Sequence, residues 1–193
     1  TLADRVAAIS SRLILRQGKA LDVIRAVVAQ TGAAAVYWTR LYDPNSIQRD
    51  ARIKNALIEE GVDARSFGGH LMFEPWTVET KAGGYYKVYT PFWNAVKNRG
   101  VGAPVGGPAA LTQPATWPDS DDIAQWKMGA AMQRGARIVR PFVQLGEDAA
   151  QARLEKFIAH GIAEYRRNRD LPGVDGTSNL SENLALGEIS PRQ

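Results

Sequence analysis

The sequence contains no cysteine. That excludes disulfide bonds and thiolate metal sites, and it fits a reducing, cytoplasmic setting. Only two histidines occur, His70 and His160. They are too far apart for a metal-ligand spacing, so no metal site is expected. No apolar run approaches the roughly 20 residues of a membrane span, and no signal peptide opens the chain, so no membrane partner is expected. No Gly-x-Gly-x-x-Gly follows a strand-like run, which removes the usual dinucleotide fingerprint. A strong charge bias is missing too. Twenty-four Lys and Arg against 20 Asp and Glu leave a formal charge of +4, which permits a polyanionic partner without requiring one.

What is present reads as a soluble globular protein. Apolar residues make up 45% and charged residues 23% of the 193 positions. This is enough for one large domain, or one domain and part of another. Leu2 to Ile9 has helical apolar spacing. Arg12 to Arg16 is a short apolar run before Gly18 and reads as a strand. Leu21 to Ala29 predicts a helix stopped by Gly32. Ala34 to Trp38 is continuous and apolar, as a strand buried on both faces would be. Pro44 and Asn45 start a helix running to Gly61, and Ala64 to Phe67 is the next strand. Strands and helices alternating at this spacing predict βαβ units, an α/β fold with a parallel sheet. Ligands of such sheets lie beyond the carboxyl ends of the strands. Arg40, Tyr42, Asn45, Arg49 and Asp50 fall there, either as ligand groups or as local ion pairs and caps.

Tyr85, Tyr86, Tyr89, Phe92 and Trp93 crowd the stretch around a helix start at Thr90-Pro91. They are expected to bury against the sheet rather than to form a stacking platform for bases. Residues 100–122 are rich in Gly, Pro, Ala and Ser and read as a linker that Trp117 could pin. The basic run from Gln133 to Arg140 reads as a solvated loop face. Glu147 to Tyr165 has one apolar face at helical spacing, through Leu154, Phe157, Ile158 and Ile162. Arg166, Arg167 and Arg169 follow, matching the negative end of that helix.

The tail then runs through Gly176-Thr177-Ser178-Asn179-Leu180-Ser181. Hydroxyls and unpaired backbone N–H groups at a helix start hold phosphates well. They also simply cap helices, and Thr177 or Ser178 capping a helix over Asn183 to Leu186 is the alternative.

Taken in order, several pieces resemble the DNA photolyase/cryptochrome family. Tyr165, Arg169-Asp170, Gly176-Thr177-Ser178-x-Leu180-Ser181, Leu184, Gly187 and Ile189-Ser190-x-Arg192 are similar to the start of that family's flavin domain. Thr80-x-x-Gly83-x-x-Tyr86-x-Val88-Tyr89-Thr90-Pro91-Phe92 resembles its link out of the N-terminal α/β domain. Trp38-x-Arg40-x-Tyr42 and Arg49-Asp50 add to the likeness. Two departures stand out. Leu145-Gly146-Glu147 lacks the family's proline, and Asn45-Ser46 lacks the acidic partner that one folate-binding branch pairs with its asparagine.

The resemblance implies a fold and an activity. The fold is a Rossmann-like parallel sheet, incomplete over 1–99, an interdomain linker over 100–146, and the first helices of an all-α flavin adenine dinucleotide (FAD) domain over 147–193. Both chain ends then read as cut. The implied cofactor is FAD, held near its phosphates by Tyr165, Thr177, Ser178, Leu180 and Ser181, with Arg169 toward DNA. A second, light-harvesting chromophore of unknown type is possible, and no residue is assigned to it. The implied activity is deoxyribodipyrimidine photolyase, a carbon–carbon lyase that repairs cyclobutane pyrimidine dimers in damaged DNA using light. The implied alternative is a cryptochrome, a blue-light receptor signalling through partners. A plain α/β interaction domain is a further alternative. Catalytic residues are expected beyond Gln193, so this chain alone is expected neither to bind FAD tightly nor to repair DNA. A monomer in the cytoplasm is expected.

Overall fold

A computed structural model describes residues 1–193. Its elements in chain order are α1 (Leu2–Ala8), α2 (Ala20–Thr31), β1 (Ala35–Thr39), α3 (Pro44–Glu59), β2 (Asp63–Phe67), α4 (Tyr89–Val96), α5 (Arg134–Val139), α6 (Glu147–His160), α7 (Tyr165–Asn168) and α8 (Ser181–Ala185). Short 3-10 turns lie between several of them. No helix is long and apolar enough to cross a membrane. The chain divides into two compact units, residues 1–66 with 107–149, and residues 67–106 with 150–193.

The first unit is a mixed α/β arrangement around a two-stranded parallel sheet, β1 beside β2. Its helices start and stop where local chemistry demands. Gly32 ends α2 at φ +66°, a left-handed conformation that costs glycine nothing. Asp43 caps α3 by accepting from the Ser46 N–H at 2.9 Å, and Pro44 takes the first helical position. The Ser46 hydroxyl, and after it the Ser46 N–H, hold the Asp43 carboxyl below its usual pKa. Ile53 and Leu57 of α3 and Ala64 of β2 form the buried core. Leu21 and Ile24 of α2, Val36 and Trp38 of β1, and Val62 pack against it.

Three expectations need correction here. The run from Arg12 to Arg16 is extended but joins no ladder. Its backbone is held instead by Ser120 and Asp121. The Leu15 N–H donates to Ser120 Oγ at 2.9 Å, and the Asp121 N–H donates to the Leu15 carbonyl at 2.7 Å. The stretch expected to be a linker is therefore fixed at these residues. Trp117 is half-buried, Pro118 is buried, and residues 119–121 lie on the 15–17 segment. Second, β1 is not buried on both faces, because Tyr37 is 57% exposed and donates its hydroxyl to Asp63. One face of β1 meets the core and the other does not. Third, the basic stretch 133–140 contains a short helix, α5 (Arg134–Val139), rather than a loop throughout.

The second unit has its own core, built from Ala150 of α6, Leu180 and Ile189, with Leu154 against them. The long helix expected to reach Tyr165 stops at His160. Gly161 breaks it, and a 3-10 turn over Ile162–Glu164 leads into the single turn of α7. Ile158 and Ile162 are each 55% exposed, so of that apolar face only Leu154 packs on the core, with Phe157 half-buried. The aromatic strip does not bury as expected. Val96 is buried and Phe92 half-buried, but Tyr85 and Tyr89 stay largely exposed, and Tyr89 stacks beside Trp93 at 6.4 Å. Only one side of α4, eight residues long, meets other chain.

Candidate functional site

The tail segment carrying the hydroxyls is a loop laid along α6. Two cations on α6 hold it there. Lys156 Nζ donates to Asp175 Oδ2 at 3.0 Å, and Arg153 Nη1 donates to the Asn179 carbonyl at 2.9 Å. Asn179 sits at φ +54°, a conformation that asparagine tolerates better than most residues. Its Nδ2 donates to Asp175 Oδ1 at 2.9 Å, which closes the loop on itself. Lys156, and after it Asn179, hold the Asp175 carboxyl below its usual pKa.

Gly176 joins this loop to α7. A side chain there would place Cβ 2.6 Å from Asn168 Cβ and 2.7 Å from the Asn168 carbonyl oxygen. Only glycine lets the end of α7 and the start of the loop touch. Tyr165 and Arg169 flank that contact. The Tyr165 ring meets Phe157 of α6 edge-on at 5.8 Å. The Arg169 guanidinium lies 5.8 Å from the Tyr165 ring centre and pairs with Asp170 at 3.4 Å. Asp170 first, and Tyr165 next, raise the Arg169 pKa further above its already high value.

The hydroxyls are not used as helix caps. α8 begins at Ser181, Leu180 occupies the capping position, and no side chain caps it. Thr177 Oγ1 donates to Asn179 Oδ1 at 3.1 Å. Thr177 and Ser181 are exposed and Ser178 is half-buried. Leu180 differs from the others, because its side chain is 8% exposed and packs on Ala150 and Ile189. It anchors the loop, and the hydroxyls on either side of it stay at the surface. With five residues, α8 has little dipole of its own. Neutral hydroxyl donors on a fixed loop suit a phosphate or pyrophosphate.

Residues that the sequence did not single out hold this arrangement. Arg153 also donates to Glu182 Oε1 at 2.5 Å and to Asn183 Oδ1 at 2.9 Å. Asn183 is fully buried and donates through Nδ2 to Glu188 Oε2 at 2.7 Å. One signal was available. Arg153 lies three positions after Ala150 and next to Leu154, on the apolar side of its helix, where a cation must find partners.

Polar groups near the end of β1 behave differently. Arg49 pairs with its neighbour Asp50 at 2.7 Å, and Arg40 donates to the Ser66 carbonyl at 2.9 Å. Asn45, Gln48, Arg49 and Arg52 line an open cavity with Lys19, about 480 Å³ in volume.

Residues 1–113 match the family model for DNA photolyase. The deoxyribodipyrimidine photo-lyase of Agrobacterium fabrum is 39% identical over 181 residues, covering 93% of this chain and 38% of the relative. That of a Synechococcus strain is 32% identical over 195 residues, covering 100% of this chain and 40% of the relative. The crystal structure of a bacterial class III photolyase from Agrobacterium tumefaciens superposes with a TM-score of 0.93 at 38% identity, covering 99% of this chain and 40% of that one. The chain thus spans about two fifths of the length of the relatives it matches.

Proposed function

This chain belongs to the DNA photolyase family, and from that premise we propose that the longer protein carrying it is a deoxyribodipyrimidine photolyase. In this reading it is a carbon–carbon lyase that uses light and FAD to reverse cyclobutane pyrimidine dimers in damaged DNA. Residues 1–99 are part of its α/β domain, 100–146 the connection, and 147–193 the opening of its flavin domain. The observation that carries the site is the loop Thr177–Ser181, whose hydroxyls cap no helix and whose backbone is fixed to α6.

Thr177, Ser178 and Ser181 would hold the FAD phosphates, and the buried Leu180 would set the height of the loop. Tyr165 would border the same cofactor from α7. Bound there, FAD supplies the light-driven electron that splitting of the dimer requires. The chain's own part is to bind and orient the cofactor. Arg169 adds a cation on the side where the DNA backbone would approach. A second light-harvesting chromophore fits this reading, and we assign no residue to it.

The test is FAD affinity of the full-length protein. Combined Thr177→Ala, Ser178→Ala and Ser181→Ala substitution is expected to weaken FAD binding at least about tenfold, since even one lost hydrogen bond to a charged group is worth roughly 1.5–3 kcal/mol. Unchanged affinity would remove these residues from the site.

A further inference from the structure

We propose that Arg153 is the positioning residue of the Thr177–Ser181 loop, an inference that rests on the flavin reading above. Its side chain is only 15% exposed, and one of its nitrogens meets acceptors from three places on the loop and α8. The Asn179 carbonyl fixes the backbone midway between Ser178 and Ser181. The Glu182 carboxylate and the Asn183 amide fix the first turn of α8. Asn183 passes the restraint on to Glu188, so the network reaches across the whole turn.

The second task of Arg153 is electrostatic. Glu182 directly follows Ser181 in sequence. The Glu182 carboxylate therefore adjoins the last of the hydroxyls proposed to hold an anionic pyrophosphate. A bare carboxylate beside a phosphate repels it. Arg153 pairs with Glu182 and is linked to Glu188 through Asn183. It holds the hydroxyls in place and offsets the Glu182 charge that would oppose their ligand, without contacting the ligand itself.

The two tasks give a signature that a merely structural arginine would lack. In the full-length protein, Arg153→Met is expected to weaken FAD binding at least about tenfold, as coupled neighbours commonly do. Adding Glu182→Gln to Arg153→Met is expected to recover the electrostatic part of that loss, while the part due to the freed Asn179 carbonyl remains. The loss should also shrink at high salt, where the repulsion is screened. Arg153→Lys keeps the charge without the planar fork and is expected to lie between wild type and Arg153→Met. It serves in the same cycle with Glu182→Gln if Arg153→Met does not fold. Wild-type affinity in Arg153→Met, or no recovery in the double variant, would overturn the proposal. Wild-type protein that binds no FAD would overturn the flavin reading, and this inference with it.

Discussion

A methyl group at position 176 would stand 2.6 Å from Asn168 Cβ, so the glycine in the Gly-Thr-Ser motif is there for contact as well as for turning. The same segment shows how far single residues were legible. The hydroxyls at 177, 178 and 181 were visible as a pattern, and so was Leu180, although its part is to fill the core. Arg153 was not, because its partners lie 26 to 30 positions away and only folding brings them together. Lys156 and Asp175 were hidden for the same reason. Their pair makes a pH prediction. Lys156 lowers the Asp175 pKa from its usual 3.8. A depressed carboxylate pKa stabilises the fold above the unfolded value and loses that contribution as pH falls through the folded one. Wild type is therefore expected to be more stable than Asp175→Asn near pH 7, with the difference closing below about pH 4. Urea midpoints of both proteins across that range would test it. A difference that persisted unchanged at pH 2 would mean that the charge pair is not its source.

At the level of elements, helices were read more accurately than strands. Gly32, Asp43 and Pro44 punctuate α2 and α3 with local chemistry, so their limits were legible. Pairing is not a local property. The run at 12–16 has the composition of a strand, yet it spends its backbone groups on residues 120 and 121. The single helix expected through Tyr165 failed at Gly161, where a side chain would strike the Phe157 ring at 2.6 Å. The core of the first unit rests on α3. Leu57 is fully buried beside Ile53 and Ala64, with α2 and β1 packed around them. Leu57→Ala is expected to cost about 2–5 kcal/mol, the loss of buried side chain plus the cavity left behind. Chemical denaturation would measure it. A cost below about 1 kcal/mol would mean that this core closes without Leu57.

The whole molecule is two compact units in one chain, each with its own buried cluster. Its family was legible from ordered fragments of motif, none decisive alone, and the match over residues 1–113 bears that reading out. The chain spans 38–40% of its relatives' length, so the proposed photolyase activity is one of the longer protein. The most direct test is an absorption spectrum of the purified full-length protein, followed by illumination with DNA that contains thymine dimers. The photolyase account predicts a flavin band that photoreduces and a light-dependent loss of dimers. A flavin band without repair would point to a light receptor of the cryptochrome kind. No flavin at all would contradict the account and leave the Thr177–Ser181 loop without the ligand proposed for it.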